Sequence, residues 1–152
     1  MMTKERLAQI AGVWEGTYTH LTPEGEILDQ HQSRQETRLE GDRWYERIIY
    51  HWPARDGRQA RELTLDFRAR FVGDELVFDD ARLQGETFSV TDEIGLFAYY
   101  WKDNPRVRVV ETIVCDAALH KARVWQTFED GALTKVTIIV ERRVAEEPAI
   151  WH

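Results

Sequence analysis

Gly12-Val13-Trp14-Glu15-Gly16 decides how this chain is read. It stands directly after a short stretch with helical spacing and at the head of a chain in which strand follows strand. Upstream, Leu7 and Ile10 fall one helical turn apart, Thr3 is placed to cap the helix and Gly12 to stop it. Downstream, period-two segments alternate with turn chemistry at Pro23-Glu24-Gly25, Gly41-Asp42, Arg55-Asp56-Gly57, Gly73-Asp74, Asp103-Asn104-Pro105 and Asp130-Gly131. This is the pattern of antiparallel hairpins. It predicts strands over 13–20, 27–39, 43–52, 60–71, 75–79, 83–90, 94–101, 106–115, 122–128 and 132–144. No segment between them has the length or periodicity of a crossover helix, so parallel βαβ units are disfavoured. Sequential strands joined by short turns curl and close, which removes exposed edges. The expected fold is therefore all-β: a closed antiparallel up-and-down β-barrel forming a single domain over 1–152, with a helix at 3–11, the barrel at 12–144 and a tail at 145–152. Pro148 should turn that tail away from the barrel, leaving Ile150 and Trp151 as docking candidates.

At 152 residues the chain can bury one substantial core without metal or disulfide support. Its single cysteine, Cys115, rules out an internal disulfide framework and fits a reducing compartment, so a cytoplasmic location is expected. Cys115 precedes Asp116, an acidic neighbour that disfavours a thiolate nucleophile. No export signal or membrane-length apolar run is present, which argues against a membrane partner. The 20 Lys and Arg are scattered and outweighed by 27 Asp and Glu, for a net charge of -7. Nucleic acid, whose affinity rests on concentrated positive charge, is excluded on the same ground. A homodimer is compatible with this composition.

The tryptophan motif after a short helix, with arginines Arg142 and Arg143 ending the last strand, resembles the calycin superfamily, which includes lipocalins and fatty-acid-binding proteins. More narrowly, several stretches are similar to a bacterial lipocalin-like domain family known from structures without an assigned reaction: Gly12 to Gly25, Asp29-Gln30-His31-Gln32-Ser33, Tyr50-x-Trp52, and His120 to Trp125 leading to Phe128-x-Asp130-Gly131. The resemblance implies a ligand cavity inside the barrel, and Trp14 plugging one end of it beneath Arg142 or Arg143. It does not extend to haem. Nitrobindin-type relatives continue the tryptophan motif with further glycines where this chain has Thr17-Tyr18-Thr19, and no histidine lies within the last strand to serve as an axial ligand.

Residues two apart on a strand share a face, so facing can be assigned from alternation. In the second strand Gln30, Gln32, Arg34, Glu36 and Arg38 read as outer, which leaves Asp29, His31, Ser33, Gln35, Thr37 and Leu39 inside. That inner set is polar. The fourth strand instead turns Leu63, Leu65, Phe67, Ala69 and Phe71 inward, so one wall is oily and another polar. The first strand carries Trp14, Gly16, Tyr18 and His20 on one face, and a normal hairpin places Tyr18 beside His31 or Asp29. The third strand is ambiguous; the set Trp44, Glu46, Ile48, Tyr50 and Trp52 is taken as inner. In the eighth strand Val107, Val109, Glu111, Ile113 and Cys115 point inward. Glu111 is then a carboxylate on an apolar face and needs a partner or a wet cavity, with Arg123 and His31 as candidates.

No phosphate loop, dinucleotide fingerprint, nucleophile elbow or paired-cysteine zinc motif occurs, so no cofactor is expected. His20, His31 and His51 match no ligand spacing, and no metal is expected. Two functions follow from the facing. The barrel binds a small apolar or aromatic molecule, with Tyr18, His20, His31, Ser33, Gln35 and Arg123 meeting polar groups while Tyr50, Trp52, Phe67, Trp101 and Trp125 form the aromatic wall. Alternatively it is a cofactor-independent acid/base enzyme (isomerase, lyase, hydratase or cyclase) in which His31 and a buried Glu46 or Glu111 exchange a proton with the substrate. A structural account stands beside each: Glu111 with Arg123 as a cross-strand pair, His31 as a satisfied core histidine, the aromatics as packing. A solid interior would favour a third reading, an interaction module acting through its outer face.

Overall fold

The computed structural model describes residues 3–147; the expectations for Pro148, Ile150 and Trp151 fall outside them. The helix α1 spans Lys4–Ile10. Ten strands follow: β1 (Gly12–Leu21), β2 (Ile27–Glu40), β3 (Arg43–Trp52), β4 (Arg61–Val72), β5 (Glu75–Asp79), β6 (Leu83–Ser89), β7 (Ile94–Trp101), β8 (Asn104–Cys115), β9 (His120–Glu129) and β10 (Ala132–Ala145). Each pairs antiparallel with its sequence neighbours, and β1 pairs with β10, so the sheet closes into an up-and-down barrel. Closure gives β1 and β10 a partner on both sides, while β4 meets β5 only from Ala69 to Val72.

Local chemistry explains the turns. Asp56-Gly57 and Asp130-Gly131 both take positive φ at two successive residues, which suits them to tight hairpins whose twist matches the strands. The strand limits differ from the sequence reading by a residue or two. β8 starts at Asn104 and so includes Pro105, which lies where the register with β7 shifts and no ladder donor is required. β9 starts at His120, which brings Lys121 into the barrel wall.

The helix closes one end. The Thr3 hydroxyl accepts from Arg6 N, and Leu7 and Ile10 are buried against the barrel core. Arg6 Nη2 donates to the Cys115 carbonyl at 2.9 Å, and Arg143 Nη1 donates to the Gln9 carbonyl at 3.1 Å. Trp14, 1% exposed, seals this end and donates from Nε1 to the Ile10 carbonyl at 2.9 Å. The cation over its ring is Lys121, with Nζ 4.2 Å from the centroid. That corrects the expectation of Arg142 or Arg143: Arg142 alternates to the outer face, and Arg143 reaches down to the helix.

Gly16 sits opposite Glu141 in the β1–β10 register. A Cβ at Gly16 would strike the Val140 carbonyl and stand 2.7 Å from Glu141 Cγ. The second glycine of the motif therefore makes room for a carboxylate to lean across β1 into the barrel. On β10, Thr137, Ile139 and Glu141 are buried while Ile138 and Val140 are exposed, so two polar residues go in and two apolar ones face out. Glu36, assigned outward from alternation, does occupy the outer face but is buried, paired with Arg34 at 3.1 Å.

Gly16→Ala should lower the unfolding free energy by at least about 1–3 kcal/mol, the cost of forcing extra volume into a packed wall. Urea titration followed by circular dichroism measures it, and wild-type stability in this variant would show that Glu141 can move aside freely.

Candidate functional site

Strands β1, β2, β3 and β9 turn a polar wall into the tube. Tyr18, 0% exposed, faces His31 across β1–β2, and their rings stack at 4.9 Å. Arg123 lies one strand beyond β10 from Tyr18, level with it across Ile139. Four of its five N–H groups are engaged: Nε and Nη2 donate to Glu141 at 3.0 and 2.7 Å, Nη2 also donates to the Tyr18 hydroxyl at 2.6 Å, and Nη1 donates to Glu111 Oε2 at 3.3 Å. Trp125 Nε1 donates to the same Glu111 oxygen. Lys121 Nζ lies 3.3 Å from Glu141 and donates to Gln35 Oε1 at 2.6 Å, and Gln35 Nε2 donates to Glu46. One connected network thus links three carboxylates to two cations through a tyrosine, a glutamine and a tryptophan.

These carboxylates differ electrically. Burial raises all three, but for Glu141 the adjacent Arg123 and Lys121 outweigh it and hold the carboxyl below its ordinary range. Glu111 is pushed up to about 7, first by burial, with Glu46 and Glu141 adding repulsion that Arg123 offsets only in part. Glu46 is also raised, again chiefly by burial. Glu46 keeps some accessible surface although it lies deep in the barrel, because that surface belongs to an internal cavity. Burial lowers Lys121 and lifts Tyr50 to about 12.

The cavity has a volume of about 340 Å³. The polar wall meets it through Tyr18, Gln35, Glu46, Glu111 and Arg123; opposite stand Leu65, Phe67, Leu76, Phe78, Phe97 and Trp101. Leu63, 46% exposed near the hairpin end, and Phe88, 48% exposed nearer the helix end, also border it, so it communicates with solvent.

Of the thirteen residues singled out from sequence, twelve line this cavity, among them Tyr50, Trp52 and Trp125. Ser33 is the exception. It is buried, but its hydroxyl makes no hydrogen bond and it lies off the cavity wall, between Gly16 on one neighbouring strand and Tyr50 on the other. His31 does not touch Glu111. Its Nδ1 lies 3.3 Å from the Gln32 carbonyl and its Nε2 lies 2.8 Å from His20 Nε2, while His20 Nδ1 lies 2.9 Å from the Thr137 hydroxyl. A carbonyl only accepts, so the chain of contacts assigns donation from Thr137 to His20, from His20 to His31 and from His31 to Gln32, with both imidazoles neutral. Burial lowers both rings, His20 to about 4. At the mouth Trp52 Nε1 donates to Asp29 at 2.9 Å, which leaves Asp29 on the rim. His51 faces outward near Glu62, apart from the other two histidines. Among the described residues no group of three or more His, Cys, Asp or Glu could hold a metal ion.

Two members of the network, Lys121 and Glu141, and one further cavity residue, Tyr99, were not singled out from sequence. Lys121 shares the alternation of Arg123 and Trp125, and Tyr99 that of Trp101, so parity was available for both. Glu141 had no such signal, since Ile138 and Val140 make the opposite face of its strand look like the core side.

A closed antiparallel barrel whose interior joins a charged network to an oily cavity defines the class of this protein. The chain belongs to the family described as domain of unknown function (DUF3598), N-terminal, whose model matches residues 3–146. It is similar to the crystal structure of a protein of unknown function from the DUF3598 family of Nostoc punctiforme PCC 73102, at 16% identity and a TM-score of 0.71, over 91% of this chain and 49% of that one. The chain thus spans about half the length of that relative. A redesigned β-barrel also aligns, at 12% identity and a TM-score of 0.47, over 91% of this chain and 96% of the design. No curated protein matches the chain.

Two outcomes are expected. Glu141→Gln leaves Arg123 and Lys121 underpaired in the interior and should cost roughly 3–5 kcal/mol in urea unfolding, the usual effect of breaking a buried ion pair. For Glu111 the folded carboxyl titrates above its unfolded value, so native protein binds the extra proton and loses that stabilisation as pH rises from about 4.5 through about 7. Glu111→Gln should therefore gain stability relative to wild type between pH 5 and 8. A protonated-carboxyl infrared component should vanish near pH 7 in wild type and be missing from the variant; a wild-type spectrum without any component that titrates near neutral pH would refute the assignment.

Proposed function

We propose that this protein is a small-molecule binding barrel of the calycin kind, taking an apolar or aromatic guest into its cavity. The carrying observation is an interior volume of about 340 Å³ bounded on one side by aliphatic and aromatic residues and on the other by a few convergent polar groups. Ligand sites commonly have that composition and run from about 300 to 1,000 Å³. The interior polar network supports the same reading: it is held by its own hydrogen bonds, so a guest meets groups that are already positioned. Membership of the DUF3598 family adds the fold and no activity.

One observation favours a second reading, the acid/base enzyme. Glu111, at about 7, borders the cavity with Oε1 accepting no hydrogen bond, which suits a carboxyl that passes a proton near neutral pH. Glu46, similarly raised, would be its counterpart. His31 also lines the cavity, with its nitrogens held by His20 and Gln32, so the two glutamates are the freer proton donors and acceptors.

The binding reading is tested with N-phenyl-1-naphthylamine, a neutral apolar fluorophore. Its emission should rise and shift blue with the wild-type protein. Leu65→Trp, which projects bulk into the cavity, should weaken that affinity at least tenfold while leaving the melting temperature within a few degrees. No uptake by wild type, or equal uptake by the variant, overturns the proposal.

A further inference from the structure

Among the described residues the interior holds more negative than positive groups, and its cations are already engaged. Glu46, Glu111 and Glu141 stand against Lys121 and Arg123. Arg123 retains one free N–H, and Lys121 is held by Glu141, Gln35 and the Trp14 ring. An incoming anion would have to take these donors from carboxylates that already hold them. The acceptors are less fully used. Among the described residues nothing donates to Glu111 Oε1, and Glu46 accepts through Oε1 from Gln35 alone. Tyr99, 7% exposed, lines the same cavity, and its hydroxyl makes no hydrogen bond among the described residues. Aromatic rings line the same cavity: Tyr99 meets Trp101 edge-on at 5.6 Å and Tyr18 meets Tyr50 edge-on at 5.0 Å, while Arg123 already stands over the Tyr18 and Trp125 rings. Ring faces and carboxylates lining a cavity both attract a cation.

Building on the binding reading above, we propose that the guest is an aromatic amine bound as its cation, with the ammonium between Glu46 and Glu111 beside Tyr99 and the ring against the Phe67–Trp101 wall. An ammonium supplies the donors that Glu46, Glu111 and the Tyr99 oxygen lack, and it neutralises the excess interior charge. Without it Glu111 resolves the same excess by retaining a proton near neutral pH. The histidines on the approach are neutral and do not repel a cation, and the chain's net charge of -7 favours its arrival.

Isothermal titration calorimetry of the full chain at pH 8 tests this with three probes that share one ring: tryptamine, neutral 3-ethylindole and anionic indole-3-propionate. Tryptamine should bind at least tenfold more tightly than 3-ethylindole, with indole-3-propionate weakest. The ratio of tryptamine to 3-ethylindole affinity should fall towards one in Glu111→Gln, and also in Glu46→Gln, which carries the test if the first variant fails to fold. Equal affinities, or a preference for the propionate, overturn the charge assignment while leaving the binding reading intact. If none of the three binds, and the naphthylamine fluorophore also fails, the binding reading falls and this inference with it.

Discussion

The buried ion pair between Arg123 and Glu141 is the contact on which the rest of the interior depends. Two ions taken out of water into a barrel lumen are costly unless the remaining donors and acceptors are satisfied. The chain meets that requirement with a two-point contact from guanidinium to Glu141, a tyrosine hydroxyl and a second carboxylate on the guanidinium, and an ammonium on Glu141. Gly16 is the backbone condition for all of it, since any side chain there would occupy the volume that Glu141 crosses.

From that pair the electrical character of the site follows. Glu141 has two cations at hand and stays ionised; Glu111 shares one of them and is left poised near neutrality; Glu46 is raised by burial, which Arg123 and Lys121 offset only in part. Of three glutamates in one lumen, the one bonded to both Arg123 and Lys121 is lowered and the other two are raised. Burial sets the direction of each shift, and proximity to the cations decides whether it is reversed.

The oily half of the lumen has a different origin. Strands β4 to β8 alternate large apolar residues inward, and these leave a cavity rather than a solid core. Packed tightly, the same residues would have made the polar wall a structural feature alone. The open volume makes Glu111 Oε1, Glu46 and the Tyr99 hydroxyl available to a guest, so shape and charge act on one site.

Much of this was legible in the chain. Alternation on the second strand announced a polar inner face, and His31, Gln35 and Thr37 are buried there; the tryptophan-bearing set of the third strand, taken as inner against an ambiguous pattern, faces in as well. Glu111 stood out as a carboxylate among apolar neighbours and does meet Arg123. Period two is a local property of extended backbone, which is why a single sequence suffices to read it. Glu141 stayed hidden because its strand exposes Ile138 and Val140, and only the register of β10 against β1 and β9 shows which side is the lumen. The pairing of His31 with His20 instead of a glutamate, the displacement of Ser33 from the cavity wall and the choice of Lys121 as the cation over Trp14 likewise depend on which strands become neighbours on closure. Alternation therefore determined the wall to which each residue belongs. Closure of the barrel decided which groups on those walls come within hydrogen-bonding distance, because that distance is set by pairings between strands far apart in the chain.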